Sequence, residues 1–439
     1  MSNASLASRL TVSASMPRLD IGSGQHVKVG FLGPLTGDVS AWGKPGLDGC
    51  TIWADWTNAG GGLTLGGRRF QVELIPYDCG YDPDRALTGA RKLILEEGVK
   101  FLLMLGGDTF PPVQDLLNRH KILASTLLPS DLSPDTPYLI APCEVHPIYN
   151  VTGVEWLSLN RPELKTAALC AQRDSLGLPS VATYRAAFEA AGIDIVKEIF
   201  FPVPTPDLGA VVSRLLEAEP DILCWDTAYE PFVNELTEAA FHQGFKGQII
   251  SCTADDYRGL VQRTSKEFME GFVFQFPDFD DPMLNAPTVN FTRPNEFFEE
   301  YNTRFPGAWS AVSWEYVSIL DLWRSAVEKA GTVEPVSVLA AMKSGGNGRH
   351  AFGEAAWWGT ELFGIDNALV GDWPVVLVRD GRARIEEFRS ITDWWRAHGA
   401  LLERHMRNLG QMWDQQVAPA PSEEEVAPRR FSLHGIAGP

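Results

Sequence analysis

The sequence predicts an α/β protein of two lobes, each built around a central parallel sheet. Its 439 residues exceed the roughly 250 to 300 residues that one hydrophobic core usually serves, so two cores are expected. From Val27 onward, short β-rich runs alternate with amphipathic stretches, which is the rhythm of βαβ units. The same rhythm starts again at the run KTAALCA, so two similar halves follow one another.

The first half opens with the strand pattern VKVGFL, followed by a helical pattern over 46–59, the strand FQVELIPY, a helix over 82–97 and the strand VKFLLML. The helix over 82–97 carries clear end signals, because Asp82 stands at the N-cap, Pro83 in the first turn and Gly98 at the stop. Near-continuous apolar strands separated by helices indicate a parallel sheet covered on both faces.

The second half places helices over 180–191, 208–218 and 232–243 between the strands KTAALCA, DIVKEIFF, DILCWD and QIISCT. We expect the chain to cross between the lobes near 142–147 and to return through the proline-rich run around 276–282. Helical patterns then cover 293–304 and 313–330, and a hairpin turns at Arg379, Asp380 and Gly381.

These patterns set the expected domain limits. Lobe 1 comprises 27–143 and 278–350, and lobe 2 comprises 144–277 and 351–392. An N-terminal extension covers 1–26, a C-terminal helix with apolar residues at helical spacing covers 393–416, and the tail 417–439, rich in Pro, Ala and Glu, is expected to be disordered.

Composition excludes several classes of function. The formal charge of −19 disfavours nucleic acid as a partner, since such binding depends on Lys and Arg neutralising phosphates. A run of about 18 apolar residues, which a transmembrane helix needs, does not occur, so no membrane insertion is expected. The six cysteines form no Cys-x-x-Cys motif, so no metal site is expected at them, and several lie in apolar runs where a thiol is expected to be buried.

Signatures of catalysis are missing from the sequence. It has no Walker motif, no dinucleotide glycine fingerprint after the first strand, no His-Glu-x-x-His and no Gly-x-Ser-x-Gly. The eight histidines are scattered, and only His146 lies near a proposed crossing. We therefore predict that the protein is not an enzyme and uses neither a cofactor nor a metal.

The strand ends are the places where a ligand is expected, since ligands of open α/β sheets bind outside the carboxyl ends of the strands. Several of these loops precede helices, whose free N–H groups attract a carboxylate. A zwitterionic or acidic ligand fits this mixture of hydroxyls, carboxylates and rings. The six loops cover 33–43, 106–112 and 126–131 in lobe 1, and 172–177, 226–231 and 253–257 in lobe 2.

The chain resembles the periplasmic binding proteins of the leucine/isoleucine/valine and amide type, the type I fold class, over about 27–390. The residues that carry this resemblance are VKVGFLGPLTGDVSAWGKPGLDGCTIWADWTNAGG, YDCGYDPDRALTGARKLILEEGVKFLL, FMEGFVFQFP and FEEYNTRFPGAWSAVSWEYVSILDLWRSAVEKAG. It implies two Rossmann-like lobes joined by three crossover strands, and hinge closure around a ligand.

The resemblance also implies ligand-facing positions within the six loops. Where relatives place a small hydroxyl residue for a ligand carboxylate, this chain has Asp108 beside Thr109. The position where relatives place an acidic residue for a ligand ammonium falls at Thr253 or Asp255. A disulfide of some relatives is expected to be lost, since the partner position of Cys79 is Gly106 or Gly107. The candidate ligand-binding residues are Trp42, Asp108, Thr109, Phe110, Leu128, Ser130, Leu176, Asp226, Ala228 or Tyr229, Thr253 and Asp255.

Aromatic rings add a hypothesis about the ligand. Trp42 and Trp314 are expected to form walls of the cleft and, with Phe110 and Tyr229, to suit an aromatic or flat molecule.

The predicted function is that of a solute receptor for an ABC importer, which binds a small amino acid, amide or aromatic or organic acid. The first 26 residues hold no apolar h-region, so either a signal peptide was removed from a periplasmic protein or the protein is cytoplasmic. The alternative is a cytosolic sensor of the amide-regulator kind with the same fold. An ABC permease is the expected partner if the protein is exported, and the chain is expected to be a monomer or homodimer.

Overall fold

The fold is a pair of α/β lobes, each with its own sheet, as the sequence predicts. The computed structural model describes residues 26–37, 39–143, 148–173, 177–202, 207–226 and 230–415. The predicted tail 417–439 lies outside these residues, and so does the predicted N-terminal extension 1–26 except for His26, which begins the first strand. Within them, one sheet has six strands and the other has nine.

The first sheet forms before residue 143 and has the strand order β2-β3-β1-β4-β5-β6, with all pairs parallel except the β2–β3 hairpin. The order matches a Rossmann half, because β3 and β4 lie on opposite sides of β1 and the chain crosses over β1 between them. Its elements are β1 (His26–Gly33), α1 (Lys44–Ala59), β2 (Leu63–Leu65), β3 (Arg68–Asp78), α2 (Pro83–Arg91), β4 (Phe101–Met104), α3 (Pro111–His120), β5 (Leu123–Ser125) and β6 (Leu139–Ile140).

Helix α2 forms where the sequence places it, with the Asp82 carboxylate accepting a hydrogen bond of 2.8 Å from the Arg85 N–H. Its last turn differs from the prediction, because Lys92–Glu96 forms a π-helical turn. Gly98, at a φ of +71°, then ends the element.

The second sheet repeats the arrangement, since β8, β7, β9, β10 and β11 run parallel in that order. Its elements so far are α4 (Val151–Asn160), β7 (Thr166–Gln172), α5 (Gly177–Ala191), β8 (Asp194–Phe201), α6 (Leu208–Leu216), β9 (Ile222–Asp226), α7 (Glu230–His242), β10 (Gln248–Ser251), α8 (Tyr257–Arg263), α9 (Lys266–Met269) and β11 (Val273–Phe274).

The remaining chain contributes to both lobes. Its elements are α10 (Pro294–Arg304), α11 (Val312–Ala330), α12 (Pro335–Lys343), β12 (Asn347–His350), β13 (Gly353–Trp358), α13 (Thr360–Phe363), β14 (Ala368–Arg379), β15 (Arg382–Ser390) and α14 (Ile391–Asn408). Helix α11 returns to lobe 1, where Trp323 stacks on Phe101 of β4 with ring centroids 5.3 Å apart. Strands β12 to β15 extend the second sheet through antiparallel pairs.

Two details differ from the sequence prediction. Strand β12 falls in the stretch assigned to lobe 1 but pairs with β13 in the second sheet. The C-terminal helix ends at Asn408, short of 416, because Gly410 has a φ of +70° that a helix does not continue through. The hairpin β14–β15 is confirmed, with Asp380 at φ +48° and Gly381 at φ +73° in its two-residue turn.

Asn367 joins the two sheets at a crossing. Its buried side chain donates a hydrogen bond of 2.8 Å to the Leu139 carbonyl and accepts one of 2.7 Å from Lys343 Nζ. Its backbone carbonyl accepts a bond of 2.9 Å from the Ala141 N–H, and Ala141 pairs with Ala368 in an isolated parallel bridge. Strand β14 of the second sheet is thereby attached directly to the edge of the first.

All six cysteines are buried as free thiols, which agrees with their prediction as small core residues.

Candidate ligand cleft between the lobes

The loop after β1 is organised by the Asp78 carboxylate at the end of β3. Asp78 accepts hydrogen bonds from the Leu35 N–H at 2.8 Å, the Gly80 N–H at 2.9 Å and the Thr36 hydroxyl at 2.6 Å. Partial desolvation acts to raise the pKa of Asp78, but these bonds and the nearby Arg85 outweigh it and lower the pKa to about 2. The loop that leads to Trp42 is therefore fixed at its base.

A second carboxylate, that of Asp131, connects the ends of β4 and β5. Its oxygens lie 3.1 and 3.2 Å from the Gly107 nitrogen, and it accepts a bond of 2.7 Å from the Thr126 hydroxyl. A β-carbon on Gly106 would stand 2.0 Å from Asp131 Oδ2, so only glycine allows this approach. Desolvation and, to a lesser extent, the charge of Asp108 raise the pKa of Asp131 to about 7, against the hydrogen bonds from Thr126 and Gly107.

The predicted residues of lobe 1 separate into accessible and buried groups. Asp108 is exposed and Ser130 is half-buried. The Thr109 hydroxyl is buried and donates to the Gly106 carbonyl at 2.8 Å. The side chains of Trp42, Phe110 and Leu128 are also buried. Asp108 and Ser130 thus present polar atoms at the surface of these loops, while Thr109 supports the loop itself.

In lobe 2, three predicted residues lie within the described chain. Asp226 ends β9 and is fully buried, and Thr253 is buried after β10. Asp255 is half-buried and stands further out along the same loop. Leu176, Ala228 and Tyr229 lie outside the described residues, as does His146.

Asp255 connects the two lobes. Its Oδ1 accepts a hydrogen bond of 3.1 Å from the Ala311 N–H, at the N-terminus of α11 in lobe 1. Desolvation raises the pKa of Asp255 to about 7, against the Ala311 hydrogen bond and together with the charges of Glu230 and Asp256. At this point a strand-end loop of lobe 2 meets the N-terminus of a lobe 1 helix.

The base of this interface is an aromatic cluster around Trp314, the third residue of α11. Trp314 is fully buried, and its ring centroid lies 5.0 Å from Phe279 and 5.2 Å from Phe352. Trp373 of β14 joins the cluster 5.0 Å from Phe352. Trp42 and Trp314, the two expected walls of the cleft, are both buried in this structure, and so is Phe110. Neighbouring rings cover Trp314 completely, so it does not offer a free face to a ligand here.

Sequence reasoning did not select Asp131, Glu230 or the Ala311 N–H, which bond to the predicted loops or act on their charge. Asp131 and Glu230 lie inside two of the six predicted loops. The rule that ligands bind at strand ends therefore identified their loops, but it did not identify these two side chains. Ala311 had a weaker signal, the start of a long helix, whose free N–H groups attract a carboxylate. The alignment with relatives left Thr253 and Asp255 as alternatives, and it could not show that Asp255 is the residue that bonds to the Ala311 N–H.

None of the described helices is long and apolar enough to cross a membrane. Within the same residues, no group of three or more His, Cys, Asp or Glu side chains is placed to hold a metal ion.

The two α/β lobes, each with its own largely parallel sheet, have the fold of a two-lobed binding protein. The chain belongs to the periplasmic binding protein family, whose profile matches residues 26–382.

Solved structures of similar fold cover most of the chain. An ABC transporter substrate-binding protein from Sphaerobacter thermophilus has a TM-score of 0.69 and 20% identity, over 83% of this chain and 98% of its own. A leucine-binding protein from Thermotoga maritima has a TM-score of 0.67 and 18% identity, over 84% and 99%. An ABC transporter solute-binding protein from R. palustris, in complex with 4-hydroxybenzoate, has a TM-score of 0.66 and 18% identity, over 83% and 96%. At these identities the likeness shows the fold.

Proposed function

We propose that this protein is the extracytoplasmic solute receptor of an ABC importer, with the importer's permease as its partner. It binds one small organic molecule between its lobes and performs no reaction. Membership of the periplasmic binding protein family supports this role, and so do structurally similar proteins whose descriptions name them as ABC transporter binding proteins.

The observation that carries the proposal is the hydrogen bond from the Ala311 N–H to Asp255. It brings a strand-end loop of lobe 2 against a helix N-terminus of lobe 1, which is where a ligand would be enclosed. In this mechanism one lobe holds the solute first, and rotation at the crossings then buries it under the other lobe. Polar groups of the second lobe make the closed state tighter.

The solute is a small amino acid, an amide or an aromatic or organic acid. Leucine and 4-hydroxybenzoate, which are named for two of the structurally similar proteins, are the first compounds to test. Asp108, Ser130 and Asp255 are the described candidates with side chains that are not fully buried, so they are the proposed polar contacts.

Native mass spectrometry of freshly purified protein tests this proposal, because a closed cleft retains a tight ligand. A thermal-shift panel of amino acids, amides and aromatic acids follows, and small-angle scattering of the hit should show a smaller radius of gyration with ligand. If no retained molecule is found and no compound of the panel stabilises the protein, the proposal fails. Cell fractionation of the producing organism distinguishes the two roles, since the importer receptor would be found in the periplasmic fraction and the sensor in the cytosol.

A further inference from the structure

Helix α14 and the residues after it lie beyond the part of the chain that the family profile matches, which ends at residue 382. The helix is fixed to lobe 2, because its Trp394, Leu402 and Met406 side chains are buried. Its His405 ring also lies 2.9 Å from the carboxylate of Glu189 on α5. The chain that follows α14 therefore starts from a fixed point on lobe 2.

The next residues, 409–415, form an ordered segment that we call the C-terminal clip. Gly410, at a φ of +70°, turns the chain, and the Gln411 N–H donates to the Met406 carbonyl at 2.9 Å. Met412 is buried. The clip is thereby held against the end of α14 by a backbone hydrogen bond and by an apolar side chain.

The clip reaches the short helix α13, which stands just before the crossing at Asn367. The Trp413 N–H donates to the Leu362 carbonyl of this helix at 3.2 Å. The Trp413 ring lies against Gly364, because its Cδ2 atom is 2.8 Å from the position that a β-carbon on Gly364 would occupy. Trp413 nonetheless remains 38% exposed, so it adds less to the core of lobe 2 than a fully buried indole would.

Lobe 1 reaches the same point through Pro134. The Cγ atom of Pro134 also lies 2.8 Å from the position of that β-carbon on Gly364, so the proline ring and the indole converge there. Pro134 belongs to a turn that is held to lobe 1, since the Asn118 side chain of α3 donates to the Asp135 carbonyl at 2.7 Å. The clip therefore takes part in a contact between the lobes, shortly before β14 begins.

Resting on the proposed receptor function, we propose that the C-terminal clip restricts rotation between the lobes through this contact of Trp413 with Gly364 and Pro134. One of the two rings is fixed to each lobe, so rotation at the crossings changes their separation. A contact that is made in one arrangement of the lobes and lost in others stabilises that arrangement alone and shifts the population toward it. The clip thereby sets the distribution of lobe angles from which closure over a solute begins.

Distances between the lobes test this role without knowledge of the solute. Spin labels at Asp115→Cys on α3 and Leu159→Cys on α4 report on lobe 1 and lobe 2, because both positions are exposed and the six native thiols are buried. In the labelled full chain, Trp413→Ala should widen the distance distribution from pulsed electron paramagnetic resonance by about 1.5-fold or more. Trp413→Phe, which keeps an aromatic ring, should retain most of the restriction. Val196→Ala on the edge strand β8, at a residue that is 42% exposed, is the control and should leave the distribution unchanged.

The proline ring provides a second variant, which keeps the test valid if loss of the indole loosens α14. Pro134→Ala, made in lobe 1, should widen the distribution in the same way. The double variant with Trp413→Ala should widen it no further than either single variant, since each change removes the same contact. Hydrogen exchange at the Ala141 and Leu369 N–H groups, which bond across the crossing, should accelerate about threefold or more in each variant.

The results for the clip and for the receptor role are distinguishable. An unchanged distribution in both Trp413→Ala and Pro134→Ala, or effects that add in the double variant, would overturn the role of the clip and leave the receptor role standing. A wild-type distribution that leucine, 4-hydroxybenzoate and every other compound of the panel leave unchanged counts against the receptor role, whichever result the clip variants give.

Discussion

Asp255 of lobe 2 and Ala311 of lobe 1 are joined by a hydrogen bond of 3.1 Å between a side-chain oxygen and a backbone N–H. The carboxylate in this bond also carries the repulsion of Glu230 and Asp256. One residue therefore links the lobes and holds a charge that the surrounding protein disfavours.

The first prediction is that Asp255→Asn stabilises the unliganded protein at high pH. The folded pKa of about 7 lies above the unfolded value of 3.8. The protonated carboxyl therefore contributes its full stabilisation below pH 3.8, and this contribution to the free energy of unfolding is lost as the pH rises through 7. Asparagine keeps the acceptor for Ala311 without the charge, so the free energy of unfolding should rise by about 1 to 3 kcal/mol at pH 8. Urea unfolding at pH 8 and pH 4 measures this, and a gain of equal size at both values would contradict it.

The second prediction concerns the loop after β1, which depends on Asp78. Asp78→Ala removes the acceptor for two backbone N–H groups and one hydroxyl, so the free energy of unfolding at pH 7 should fall by about 2 to 4 kcal/mol. The folded pKa of about 2 lies below the unfolded 3.8, so this stabilisation is present above pH 3.8 and is lost as the pH falls through 2. Urea unfolding of both proteins should show the difference shrinking at low pH. Asp115→Ala, at a side chain that is 82% exposed, is the control and should change little.

The third prediction concerns the crossing at Asn367. Asn367→Ala leaves the Leu139 carbonyl and Lys343 Nζ without their partner, and should lower the free energy of unfolding by about 2 to 4 kcal/mol. Amide hydrogen exchange at Ala141 and Leu369, whose N–H groups bond across the crossing, should accelerate. Asn302→Ala is the control, since its amide bonds only within α10 to the Phe298 carbonyl. Equal effects of the two variants would refute a special role for this crossing.

The fourth prediction concerns the close contact of α1 with α11. A β-carbon on Gly49 would stand 2.0 Å from the Ser313 carbonyl oxygen, so Gly49→Ala must push the helices apart. The expected loss is about 1 to 3 kcal/mol in the free energy of unfolding by urea, typical of overpacking. Gly209→Ala in α6 meets its nearest atom, Asp207 Oδ1, at 3.2 Å and should be neutral or stabilising. If Gly49→Ala left the free energy of unfolding unchanged, the two helices could move apart without loss of stability and the prediction would be wrong.

Much of the fold could be predicted from local signals along the chain. Asp82 and Gly98 marked the ends of a helix through an N-cap acceptor and a positive φ, and Asp380 with Gly381 marked a hairpin turn. These features depend on residues close in sequence. The crossings, by contrast, depend on Asn367 meeting Leu139, a contact between residues far apart that no local pattern indicates.

The candidate site was predictable as a set of loops and less so as individual side chains. Asp108 and Asp255 are accessible where the loops predicted them, whereas Thr109 is buried with its hydroxyl bonded to the Gly106 carbonyl. Trp314 was predicted as a cleft wall because it is aromatic, but the rings of Phe279 and Phe352 enclose it. Tertiary packing decides such cases, because an aromatic residue near a helix start fits a core and a cleft equally well.

The burial of all six thiols gives the protein a practical use. Desolvation raises the pKa of the Cys50 and Cys224 thiols well above the usual value, so these groups are both covered and protonated. A maleimide dye would then find a single target in an Asp108→Cys variant, whose new thiol would stand at an exposed position of the loop after β4. Fluorescence of that dye would turn the molecule into a reagentless optical sensor of whichever solute it encloses.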